Sequence, residues 1–74
     1  MTIEYGWVIE NGASDPSAPT YWCGVDGNFG VTFTTDAFQA IRFARKADAE
    51  RAARAVLPGM EVRIAQHAWD QETR

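Results

Sequence analysis

The chain has 74 residues, a mass of 8.2 kDa, a formal charge of −3 and a hydrophobic share of 46%. Such a length supports one thin core with a folded surface of about 4,500 Å², and the composition excludes a disordered chain. The single Cys23 and single His67 exclude an internal disulfide and a histidine–cysteine metal cluster, so no metal site and no cofactor are assigned. No apolar run nears the ~20 residues that cross a bilayer. The opening MTIEYGWVIE lacks the basic-then-apolar order of a secretory signal.

In chain order, Thr2–Glu10 alternates, with Ile3, Tyr5, Trp7 and Ile9 on one side and Glu4, Gly6, Val8 and Glu10 on the other. A period of two predicts a strand with one buried face and solvated acids opposite. Ala13–Pro19 holds Ser, Asp and two prolines and reads as loop. Thr20–Val25 and Phe29–Thr34 are aromatic and β-branched, and Asp26-Gly27-Asn28 between them suits a tight hairpin turn. Val31 and Phe33 are assigned to the core; the choice between Tyr21 and Trp22 stays open.

Asp36 and Gln39 have capping-box spacing, and Phe38, Ile41 and either Phe43 or Ala44 follow at helical intervals. Asp48 offers a second N-cap, before the alanine-rich stripe Ala49, Ala52, Ala53, Val56 and Leu57. The two stripes are out of register, which predicts either one kinked helix or two short ones with the break near Lys46–Asp48. Pro58-Gly59 ends the helical region, Met60–Ala65 alternates as a last strand, and Gln66–Arg74 reads as a polar tail pinned by Trp69. The expected architecture is α+β: a single domain over 1–74, a small antiparallel-dominated sheet of three N-terminal strands and one C-terminal strand. Helix covers one face of that sheet.

Charge is unevenly spread. Residues 1–36 carry Glu4, Glu10, Asp15, Asp26 and Asp36 without a single Lys or Arg, whereas 37–57 carry Arg42, Arg45, Lys46, Arg51 and Arg54 against Asp48 and Glu50. A dipolar layout orients encounters with charged partners. Carboxylates on a rigid sheet and its loops can stand in for a phosphate track, since both are met by the same Lys and Arg. Glu4, Glu10, Asp15, Asp26 and Asp36 are the candidate contact residues, with Trp22 as an apolar anchor.

Other chemistries fit less well. Cys23 sits mid-strand among aromatics, where cysteine behaves as a small hydrophobe, and no oxyanion donors accompany it and His67. Gly24, Gly27 and Gly30 are followed by a strand and not by the helix that a phosphate loop needs. An enzyme is therefore not expected. Arg42, Arg45 and Lys46 could share a helix face and bind nucleic acid, yet the sequence pI of 4.9 opposes phosphate.

The stretches VIENGASDPSAPTYWCG and AIRFARKADAERAARAV resemble short proteins of phages and mobile elements, and the whole chain resembles the small anti-CRISPR proteins, specifically inhibitors of type I-C systems. The resemblance implies a non-enzymatic, monomeric inhibitor in the cytoplasm of a bacterial host. Its acidic surface would occupy the DNA-binding site of the Cascade complex, competing with DNA instead of binding it, with no membrane involved. The alternatives are a phage interaction module of other function, working through aromatic sheet residues, or a nucleic-acid binder using the basic helix.

Overall fold

The computed structural model describes residues 2–25 and 30–70. Its elements are β1 (Ile3–Asn11), β2 (Tyr21–Val25), β3 (Val31–Thr34), α1 (Lys46–Val56) and β4 (Val62–Asp70). The strands form one antiparallel sheet in the order β3-β2-β1-β4. The α+β class is as the sequence predicts. The accessible surface, 4754 Å², is close to the value that size scaling gives.

The backbone of the fold is the β1–β4 ribbon, paired without a break from Ile3↔Asp70 to Asn11↔Val62. Cross-strand partners share a face. Trp7, Ile9, Ile64 and Val62 therefore lie on one side, and Glu4, Gly6, Val8, Glu10, Arg63, Ala65, His67 and Trp69 on the other. Gln66–Asp70, expected to be tail, is strand. Each of these residues finds a partner on β1, and Trp69 is 1% exposed with its Nε1 donating to the Ala37 carbonyl at 2.8 Å. Burying an aromatic of this size is worth roughly 3 kcal/mol, enough to order the strand's end.

β1 and β2 form a fork. They share only the pair Glu10↔Tyr21 and the bond from Asn11 N to the Thr20 carbonyl, then diverge. Ile41–Phe43 fills the gap: Ile41 N donates to Trp22 O at 3.1 Å, while Trp7 and Phe43 exchange both backbone bonds at 2.8 and 2.9 Å. The chain thereby passes from one face of the sheet to the other. The sequence predicts helix here, and one turn does start, with Phe38 N donating to Asp36 Oδ1 and Gln39 N to Asp36 O. It stops because the forked strands offer Ile41 and Phe43 ladder partners that a helix would forfeit. The helical region is thus a single 11-residue α1, not a kinked or paired one.

The crossing gives the sheet two covered faces, where one was expected. On the helix face Ile9, Trp22, Ala49, Ala53 and Leu57 pack with Trp7, Phe33 and Phe43. On the opposite face Val8, Tyr21, Ala40 and Trp69 pack with Ala37, Phe38 and Ala65. Neighbours Tyr21 and Trp22 are both buried, one in each layer. Alanines 49 and 53 let α1 approach the sheet closely while favouring helix. Its N-cap is Arg45, without a side-chain cap bond, and Asp48, expected at that position, lies in the first turn, where its charge suits the helix dipole.

The β2–β3 hairpin carries a bulge between Trp22 and Gly24, where Gly24 has φ +142°. That left-handed region is open to glycine and strained for other residues. Trp22 Nε1 and Thr32 Oγ1 both donate to the Gly24 carbonyl, and Cys23 Sγ lies 3.4 Å from Thr32 Oγ1. The predicted turn Asp26-Gly27-Asn28 lies outside the described residues.

Candidate interaction surface

The face opposite α1 brings charge and aromatics together. Gly6 leaves a gap above β1, and the Trp69 ring fills it; a Cβ there would sit 3.2 Å from Trp69 Cζ3 and 3.2 Å from the Phe43 carbonyl. The Arg42 guanidinium lies over that ring, 4.3 Å from a ring centroid and 5.6 Å from that of Phe38. From there Arg42 Nη1 reaches Glu4 Oε2 at 3.2 Å. His67 packs against Trp69 on one side and edge-on to Tyr21 on the other. Burial, and secondarily the charge of Glu10, pushes the Tyr21 phenol above its usual pKa.

A second cluster ties the loop after β1 to the sheet. Arg63 Nε meets Glu10 Oε1 at 3.1 Å, and its terminal nitrogens donate to the carbonyls of Gly12 and Ser14 and to Ser14 Oγ. The loop continues to Asp15, whose Oδ1 accepts from Ser17 N at 2.9 Å and Ser17 Oγ at 2.8 Å. The Ser17 backbone bond, then the Ser17 hydroxyl and the nearby Arg63 charge, lower the Asp15 pKa. An exposed, ionised carboxylate is thus held in one place by a loop that Arg63 anchors.

The five candidate carboxylates consequently fall into different roles. Glu4 and Glu10 share a face, but each holds an arginine, so the acidic half is matched by charges from later in the chain. Asp15 projects from the loop. Asp36 caps a turn through Phe38 N. Asp26 lies outside the described residues. Trp22, named as an anchor, is 7% exposed and belongs to the core, so contact with a partner would require it to leave its packing.

The basic residues do not form the expected helix stripe. Arg42 lies within the crossing segment with its guanidinium on the face away from α1, whereas Lys46 Nζ sits 5.9 Å from the Trp7 ring on the helix face. Arg45 pairs with Asp48 at 3.0 Å. Among the described residues, Arg51 and Arg54 are exposed and make no ion pair.

Exposed apolar groups sit on the helix face. Tyr5 is 66% and Ile3 44% exposed, beyond the reach of α1. Where α1 hands over to β4, an open groove of about 370 Å³ lies between Ala53, Leu57, Met60 and Val62, with Arg54 at its rim. Sequence alternation placed Ile3 and Tyr5 on the correct face but not beyond the helix, whose length decides their exposure. The Arg42–Trp69 and Arg63–Glu10 contacts join residues far apart in sequence, beyond the reach of local patterning. Among the described residues no group of three His, Cys, Asp or Glu could hold a metal ion, and no helix is long and apolar enough to cross a membrane.

A scan of protein-family models and searches of curated proteins and solved structures find no match to this chain.

Proposed function

We propose that the chain acts by binding and not by catalysis, as an inhibitor that occupies the DNA-binding surface of a type I CRISPR effector. The resemblance of the sequence to small anti-CRISPR proteins supplies the partner. The observation that carries the reading is Asp15, an exposed carboxylate held in place by two bonds from Ser17 on a loop that Arg63 fixes to the sheet. A fixed anion meets a cationic groove with less ordering cost than a mobile one.

The contact surface is narrower than the charge map alone suggests. Glu4 and Glu10 add little to the outward field because Arg42 and Arg63 balance them. Asp15, on its loop, and Asp26 carry the attraction instead. The test is the binding of target DNA by a purified type I-C effector with and without the protein. Added protein should lower the bound fraction, and the effect should weaken as salt is raised. Undiminished DNA binding at saturating protein would overturn the reading. Inhibition that salt leaves unchanged would move the contact from the acids to apolar surface.

A further inference from the structure

We propose that the groove where α1 hands over to β4 docks a short acidic segment of a partner protein. An apolar side chain of that segment enters the groove, and its carboxylates meet Arg54 and Arg51. Ala53 and Leu57, one turn apart on α1, line the groove together with Met60 and Val62, around a volume of about 370 Å³. Leu57 is buried and Met60 exposed, so a fixed apolar floor carries an accessible lip. A small free ligand needs a pocket that encloses most of its surface; an open groove suits one anchoring side chain of a larger partner.

Charge names the chemistry of that partner. Among the described residues, Arg42, Arg45 and Arg63 each meet a carboxylate of the chain itself. Arg51 and Arg54 are exposed and meet none. Asp48 is held by Arg45, and neither Glu50 nor Glu61 pairs with them. The internal matching of charges thus leaves two arginines over, and one of them lines the groove.

Arg51 lies three residues before Arg54 on the same helix, about 4.5 Å along its axis. A cationic strip therefore continues the apolar one. An extended segment advances about 3.3 Å per residue, which brings acids two and three positions from the anchor level with the two guanidinium groups. Arginine meets carboxylates through two parallel bonds, and the same pair repels a basic segment. In sign this surface is the reverse of the Asp15 loop, and its occupancy does not depend on the function proposed for that loop.

Amide shift perturbation of the full chain by end-capped peptides tests this. The probes are Leu-Phe-Ser-Asp-Glu and its reverse, which present the same groups in both chain directions. Each has a twin with Asn and Gln in place of the acids. At least one acidic peptide should bind with a midpoint below about 1 mM, with its twin at least tenfold weaker. The shifts should centre on Ala53, Leu57, Met60 and Val62. Arg51→Glu/Arg54→Glu reverses two exposed charges, and Met60→Asp puts an acid on the lip. Both should keep the wild-type circular dichroism spectrum and weaken binding at least tenfold. Should one variant unfold, the other decides with the uncharged twins.

No binding of either acidic peptide at about 1 mM would overturn the proposal, as would shifts centred elsewhere on the chain. Equal binding of the uncharged twins would assign the groove to a purely apolar partner. Groove-centred shifts on simple dilution, without peptide, would assign it to a second copy. Either of these results also overturns the proposal.

Discussion

The Arg42 guanidinium is layered on the Trp69 ring at 4.3 Å, and the same ring lies against the bare backbone of Gly6. Three layers from three separate segments thus close one side of the sheet. Arg42 is only 26% exposed in its side chain, so its attraction to the ring is partly shielded from solvent. Arg42→Ala should lower unfolding stability by about 1–2 kcal/mol in urea denaturation. Arg42→Lys should recover less than half of that, because a compact ammonium cannot both stack on Trp69 and reach Glu4.

Gly6→Ala tests the gap itself. The added methyl would stand 3.2 Å from both a ring carbon and the Phe43 carbonyl oxygen, and the backbone oxygen has little room to retreat. A loss of about 1–3 kcal/mol is expected, as for other overpacked sites. Near-ultraviolet circular dichroism should change with it, since Trp69 must tilt.

Arg63 makes four polar contacts across the sheet and loop. Arg63→Met keeps most of the apolar stem and removes them all. Stability should fall by about 2 kcal/mol, and amide exchange should quicken at Ala13 and Ser17, the donors of the loop's own side-chain turns. Glu10→Gln, which keeps the size, should cost less.

Tyr21 gives a pH test. Its phenol titrates higher in the folded chain than in the unfolded one because it is buried and faces Glu10. A folded pKa above the unfolded value means the contribution is whole below about 10 and declines as pH rises through the folded value. Chemical denaturation followed from neutral to alkaline pH should show that decline, and Tyr21→Phe should flatten it.

Local patterning reads much of this fold. Alternation at Ile3–Glu10 places every side chain on its observed face, and the alanine-rich stripe marks α1. Alternation cannot report that a second layer covers the other face, so Val8, predicted to be on the solvated side, is buried as deeply as Ile9. Phe38, Ile41 and Phe43 have helical spacing, yet hydrogen bonds to Trp22 and Trp7, distant in sequence, pull the segment straight. The candidate site shows the same division. The positions of the acids are evident from composition, whereas the arginines that neutralise Glu4 and Glu10 come into range only when β4 and the crossing segment fold over them.

The most direct measurement is inhibition of DNA binding by a type I-C effector, comparing wild type with the Asp15→Lys/Asp26→Lys variant at low and moderate salt. Asp15 lies exposed between β1 and β2, and a circular dichroism spectrum matching that of wild type is the condition for reading the variant. The account predicts that wild-type inhibition falls as salt rises and that the folded variant loses at least tenfold in potency, equivalent to about 1.4 kcal/mol. Equal inhibition by the two proteins at both salt concentrations would contradict it.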